Sequence, residues 1–293
     1  MPIKECREQR ARHPYGSVVA EFFVDWFHRG SARFPLLSLT EVVVENITII
    51  MSITNAPNTT TPVTSTRRVL IIGASRGLGL ALAEEWARHG WHVTATQRNS
   101  DAAGLRDLAA RYLKIIEIET VDVTVPTQIA ALHDRLAPGT FDLLFVNAGV
   151  ANQPATTVGA TSTDEFVRVM VTNALGPMRV IEALDDLVTP SGTIAVMSSG
   201  QGSVANNEGG GHEVYRGSKA ALNTFMRSYA ARHRDEQRNF VLMAPGWVKT
   251  DLGGPDARLS IEDSIPNVVT TLDALQHKPG LHYVDYLGRT VPW

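Results

Sequence analysis

One cysteine, Cys6, is all the thiol chemistry this 293-residue chain carries. A disulfide within the chain is therefore excluded, and a thiol nucleophile has little to recommend it. Histidines are present, but none falls in HxH or HExxH spacing and no second cysteine joins them, so no metal site is expected. No apolar run approaches the ~18 residues that a membrane span needs. Charge of one sign is also missing: 27 Lys and Arg stand against 30 Asp and Glu, a net charge of -3. No global field draws the chain to nucleic acid or an anionic membrane. What remains is 44% hydrophobic residues, ample for one large α/β core.

Residues 1–66 read differently from the rest. Lys4, Arg7, Arg10, Arg12, Arg29 and Arg33 are balanced by Glu5, Glu8, Glu21, Asp25, Glu41 and Glu45. Transit peptides are poor in acids, and the apolar stretch from Val18 to Phe27 is broken by Glu21 and Asp25, so neither a transit nor a secretory leader fits. Asn55 to Thr66 is a Thr/Pro/Asn linker without periodicity. The expectation is a disordered extension and linker over 1–66, a cytoplasmic location, and a single folded domain over 67–293. Met51 offers itself as an alternative initiator, which intact-mass measurement of the native protein would decide.

From Arg67 the pattern is regular. The apolar run Val69-Leu-Ile-Ile72 predicts a buried parallel strand, and Gly73-Ala-Ser-Arg-Gly77-Leu-Gly79 follows at once. Strands are predicted at 91–97, 115–123, 141–146, 193–198, 240–244 and 282–286. Helices are predicted at 80–89, 101–112, 126–136, 163–188, 214–233 and 261–276. Alternation at this spacing gives a doubly wound parallel sheet with helices on both faces, of the Rossmann type. Right-handed crossovers then bring every strand's C-terminal end to one edge.

The chemistry-bearing residues gather at that edge. Glycines let the backbone approach a pyrophosphate, and the helix behind them offers unpaired N–H groups. This makes Gly73, Ser75, Arg76, Gly77, Leu78 and Gly79 cofactor-binding candidates. Folds that take NAD place an acid about 20 residues on, at the ribose 2′-hydroxyl. Here the second strand ends Thr96-Gln97-Arg98, and Arg98 with Arg76 suits a 2′-phosphate, so NADP(H) is expected over NAD(H). Solvated surface explains Arg98 nearly as well. Asp122 and Val123 follow the third strand where an adenine would lie, although Asp122 serves equally as a cap for the next turn. Asn147, Ala148 and Gly149 end the fourth strand, with room for a ribose. Asn173 falls inside the long predicted helix, where Asn is a poor helix former; it is either a solvent-face residue or a local break, and read alone the first is favoured.

Tyr215 and Lys219 stand four apart, on one face of a helix. A phenol titrates near ~10 and is idle at neutral pH, but a nearby ammonium favours the phenolate and lowers that value. A phenol so tuned can trade a proton with a carbonyl or an alcohol. Ser198-Ser199 ends the fifth strand, where a hydroxyl can donate to a carbonyl oxygen.

Together these residues resemble the short-chain dehydrogenase/reductase family, from about Arg67 to the C-terminus. Tyr215 to Asn223, Pro245 to Pro255 and the ending Tyr286 to Trp293 look like its C-factor and sniffer-type carbonyl reductase branch. The resemblance implies a catalytic tetrad of Asn173, Ser199, Tyr215 and Lys219, with Lys219 on the nicotinamide ribose and Asn173 holding a relay water. It also implies that Pro245, Gly246, Val248 and Thr250 contact the nicotinamide side. Two departures are visible. Ile72 replaces the usual Thr before the first glycine, and Ser199 lies unusually far ahead of Tyr215, across a loop holding Gly209-Gly-Gly211. The expected activity is NADP(H)-dependent reduction of a small aldehyde or ketone. A dinucleotide-binding regulatory protein with incidental turnover is the alternative. Helices 163–188 and 214–233 would pair in a homodimer, though packing on the sheet explains their apolar residues equally well. His212 and Trp247 are candidates for the pocket wall, and the Gly/Pro-bearing segment 251–260 for a mobile lid.

Overall fold

The computed structural model describes residues 66–99, 102–137 and 139–293. Cys6, Met51 and the extension expected over 1–66, save Thr66, lie outside the described residues. Among the described residues, seven strands form one wholly parallel sheet in the order β3-β2-β1-β4-β5-β6-β7. The strands are β1 (Arg68–Ile72), β2 (His92–Gln97), β3 (Ile116–Thr120), β4 (Phe141–Val146), β5 (Val188–Met197), β6 (Asn239–Ala244) and β7 (Gly280–Asp285). Between them run α1 (Gly77–Arg88), α2 (Ala103–Arg111), α3 (Pro126–Leu136), α4 (Thr163–Met170), α5 (Gly176–Leu184), α6 (Glu213–Arg232) and α7 (Ile261–Leu275). The doubly wound expectation holds.

Strand side chains alternate between faces, so each apolar run feeds two cores. Leu70 and Ile72, Leu144 and Val146, Ile194 and Val196, and Phe240 and Leu242 pack with residues of α3, α5 and α6. Val69 and Ile71, Leu143 and Phe145, Ala195 and Met197, and Val241 and Met243 pack with α1, α2 and α7. Each such buried side chain contributes about 1.5–3 kcal/mol relative to exposure. That double cover explains why the strands read as unbroken apolar runs.

Two elements depart most from their expected boundaries. The third strand stops at Thr120, and Asp122 and Val123 fall in the turn beyond it. The helix expected over 163–188 is three pieces: α4, capped by Ser162 accepting from the Glu165 N–H, a π turn Val171–Leu175, and α5. Its last expected residues instead form a 3₁₀ turn, Asp185–Leu187, and the start of β5 at Val188. Pro177 supplies a reason for the break, having no N–H for the Asn173 carbonyl four residues back.

Candidate active site

Because every strand runs the same way, the turns after β1, β4, β5 and β6 open at one edge. The first is the glycine turn. Gly73 is left-handed (φ +93°), and a Cβ there would stand 2.9 Å from the Ala148 backbone. A Cβ on Gly79 would stand 2.1 Å from the Gly73 carbonyl oxygen. Both positions thus require glycine. The Gly73 N–H donates to Thr96 Oγ1 at 2.9 Å, and its carbonyl accepts from Asn147 Nδ2 at 2.7 Å. Thr96 therefore supplies, from β2, the hydroxyl that Ile72 lacks. Helix α1 begins at Gly77 with no side chain capping its N-terminus and no acid in its first turn. Its first N–H groups and dipole are left for an anion, so the turn fits a dinucleotide pyrophosphate. Ser75 and Leu78 are partly buried beside it, while Arg76 and Arg98 are exposed, as a 2′-phosphate would need.

The remaining cofactor candidates fall into two groups. Asp122 Oδ1 accepts from the Thr124 N–H at 2.8 Å and from Thr124 Oγ1 at 2.6 Å, which is the turn-capping alternative. Val123 is buried in the core with Ala174 and Met178. Asn147 is likewise committed to the Gly73 carbonyl, with Ala148 packed beside the turn. After β6, Gly246 is left-handed (φ +85°), Val248 is buried, and Thr250 Oγ1 accepts from the Gly253 N–H at 3.0 Å. The Pro245 carbonyl accepts from Ser264 Oγ at 2.7 Å. Trp247 is half exposed, with Nε1 donating to the Gly253 carbonyl at 2.7 Å. The segment expected as a lid is tied to the glycine turn by an exposed ion pair, Arg76 to Asp251 at 2.9 Å.

Ser199, Tyr215, Lys219 and Asn173 come together at the same edge. Tyr215 lies in the first turn of α6, behind His212, which holds a left-handed conformation (φ 51°) and donates its N–H to the Pro154 carbonyl at 3.0 Å. The Tyr215 hydroxyl hydrogen-bonds with Ser199. Ser198 is instead buried, its Oγ donating to Asn223 Oδ1 at 2.6 Å, so Ser199 is the hydroxyl that faces the phenol. Lys219 Nζ is 5.9 Å from the Tyr215 ring centroid and donates to the Met197 carbonyl at 2.8 Å. An ammonium has three donors, so two remain.

Asn173 corrects its reading as a solvent-facing residue. It is fully buried in the π turn, its Nδ2 donating to the Val150 carbonyl at 2.7 Å and to Ser218 Oγ at 2.9 Å. Its Oδ1 accepts from the Val150 N–H at 2.8 Å, so the side chain clasps the chain just beyond Gly149. A Cβ on Gly149 would lie 3.5 Å from both Asn173 Oδ1 and Lys219 Nζ, which places three elements around one point. The Gly176-Pro177 pair was the available sequence signal for this break.

The electrostatics also differ from expectation. Burial pushes the Tyr215 phenol up to about 12, with Ser199 pulling it down by a smaller amount. Burial pushes the Lys219 ammonium down to about 8. Desolvation disfavours both charged forms, and at 5.9 Å the ammonium does not reverse it. At neutral pH the phenol is protonated and the lysine charged.

A parallel sheet with a glycine turn and this edge defines a dinucleotide-binding oxidoreductase fold. The short chain dehydrogenase family model matches residues 67–258. A Burkholderia multivorans short-chain dehydrogenase/reductase crystallised with NADP is 55% identical, with a TM-score of 0.76 over 78% of this chain and all of that one. A Pseudomonas aeruginosa carbonyl reductase in complex with NADP is 33% identical, with a TM-score of 0.73 over 78% of this chain and all of that one. The Myxococcus xanthus protein C-signal is 38% identical over 165 residues, 56% of this chain and 99% of its own length. The chain belongs to the short chain dehydrogenase family, among its carbonyl-reductase-like members, and is an NAD(P)-dependent oxidoreductase acting on a small molecule.

Proposed function

We propose that residues 67–293 form an NADPH-dependent carbonyl reductase in which Tyr215 is the proton donor, Ser199 polarises the substrate oxygen and Lys219 holds the cofactor ribose. The observation that carries this reading is the Tyr215 phenol beside Ser199, with the Lys219 ammonium 5.9 Å from its ring and two donors to spare. Once bound, the nicotinamide would supply the hydride.

The chain's own residues do the rest. Ser199 Oγ donates to the carbonyl oxygen, drawing charge toward it. Tyr215 delivers its proton to that oxygen as the oxygen becomes an alkoxide. Lys219, charged below about 8, then lies beside the phenolate that Tyr215 leaves behind. Asn173 keeps Gly149 and Val150 in place at the nicotinamide side.

Arg76 and Arg98 support NADPH over NADH, as exposed cations with no acid at the end of β2. A cytoplasmic location fits a chain with one cysteine, and no helix among the described residues is long and apolar enough to cross a membrane. A homodimer would cover Phe166 and Val167 on α4 and Phe225 on α6, which stand 40–48% exposed.

The test is NADPH and NADH oxidation across a panel of aldehydes and ketones. Turnover with NADPH at higher kcat/KM than with NADH is expected; equal or better efficiency with NADH would remove the cofactor preference. The likeness to C-signal gives a regulatory reading its support, and tight NADPH binding without oxidation across the panel would favour it.

A further inference from the structure

Ser199 sits at a place where the chain has little reason to stay still. It is extended (φ -163°, ψ 148°) and leads into a 3₁₀ turn, Gly200–Gly202, made of Gly-Gln-Gly. Beyond it runs an exposed loop in which a Cβ added at Gly209, Gly210 or Gly211 would meet nothing within 4 Å. Holding one backbone residue in a single conformation costs about 1–2 kcal/mol, and glycine neighbours raise the freedom to be lost. Within the turn itself, the Ser199 side chain only accepts from the Gln201 N–H at 3.1 Å.

Besides the Gly202 N–H, which donates to the Ser199 carbonyl at 2.9 Å, a second hold comes from β7, 84 residues away. Tyr283 is 3% exposed, and its hydroxyl donates to the Ser199 carbonyl oxygen at 2.6 Å. The same hydroxyl lies within hydrogen-bonding reach of Asn223 and Ser198. Asn223 Nδ2 in turn donates to the Gly202 carbonyl at 3.2 Å, so the turn is gripped at both ends. The Tyr283 ring is backed by Trp293, with centroids 5.4 Å apart, and its carbonyl accepts from the Val291 N–H at 2.9 Å. Trp293 also accepts from the Ala205 N–H at 3.0 Å, and Arg227 lies over its ring at 4.7 Å. The residues 291–293 thus brace the tyrosine and the serine's loop together.

We propose that Tyr283 is the positioning residue that fixes the Ser199 hydroxyl between Tyr215 and the substrate carbonyl. This rests on Ser199 being the polarising hydroxyl, as proposed above. Tyr283 touches neither cofactor nor substrate in this role; it acts through the Ser199 carbonyl.

A double-mutant cycle on the full chain separates this from a purely structural role, with 4-nitrobenzaldehyde as the carbonyl probe and NADPH as reductant. Tyr283→Phe keeps the ring and removes one hydrogen bond, so kcat is expected to fall about fivefold to tenfold. The KM for NADPH should stay within about twofold. In a Ser199→Ala background, measured by single turnover, the same change should cost less than about twofold, because the hydroxyl it positions is gone. An equal loss in both backgrounds, or no loss in the parent, overturns the proposal. Trp293→Leu, which keeps the Tyr283 hydroxyl and loosens its backing, should show a smaller loss with the same cancellation. It carries the test if Tyr283→Phe does not fold, and equal losses in its two backgrounds overturn the proposal there too. If Ser199→Ala alone leaves turnover unchanged, the assignment of Ser199 falls and this inference with it. A normal Ser199→Ala defect with additive losses removes only the role of Tyr283.

Discussion

The glycine turn after β1 and the glycine-rich loop after β5 use the same residue for opposite ends. In the first, Gly73 and Gly79 are glycine because neighbouring backbone stands 2.9 and 2.1 Å from where a Cβ would be. In the second, a Cβ at Gly209, Gly210 or Gly211 would enter open space, and two of them hold a positive φ (+64° and +68°). The turn is a close fit around a place for phosphate; the loop is slack that must be taken up from outside. The fit of the glycine turn is set by a few consecutive residues with Thr96, Asn147 and Ala148 beside them. The placement of Ser199 is non-local and depends on α6, β7 and the residues after it.

That contrast can be broken most sharply with a methyl group. Gly79→Ala is expected to abolish NADPH binding, raising Kd more than about a hundredfold, because the Gly73 carbonyl must move; overpacking of this kind costs about 1–3 kcal/mol or more. Gly209→Ala should change Tm and kcat little, within about 0.5 kcal/mol of the parent. Equal effects at the two sites would erase the distinction. Fluorescence titration with NADPH and thermal melting read both.

Next in size, Arg76→Ala and Arg98→Ala should each raise the KM for NADPH about tenfold, the loss of an exposed charge-assisted contact, and leave the KM for NADH within about twofold. A parallel rise for both cofactors would show that these side chains do not read the 2′-phosphate. Asp251→Asn, which frees Arg76 from an exposed pair worth about 0.2–1 kcal/mol, should alter stability hardly at all.

Lys219 gives a smaller effect with a definite sign. Burial lowers its folded value to about 8 from 10.5. Between these two the unfolded chain binds the proton that the folded chain has released, so stability should rise with pH from about 8 to about 10.5. Lys219→Met should flatten that rise. Tm measured across this window in both proteins checks it, and an unchanged slope in the variant would assign the rise elsewhere.

Most of the fold was legible because parallel strands buried on both faces must be apolar along their whole length. Val69-Leu-Ile-Ile72 and Phe240-Val-Leu-Met-Ala244 announce themselves in this way. The glycine turn was legible for the same local reason. The helix over 163–188 was misjudged because its apolar pattern continues across the π turn, while the interruption rests on the missing N–H of Pro177. Asn173 was read as solvent-facing because its partners, Val150 and Ser218, are 23 and 45 residues away. The grip of Tyr283 on Ser199 left no local trace at all. The expected lowering of the phenol by its neighbour is opposed by desolvation, which spacing along a helix does not reveal.

The most direct measurement is the turnover of Tyr215→Phe with NADPH and a reducible aldehyde, beside the parent enzyme. Loss of the proton donor should cut kcat by about two to four powers of ten while the Kd for NADPH stays within a few-fold. Unchanged turnover would show that the phenol does not deliver the proton and would contradict the account.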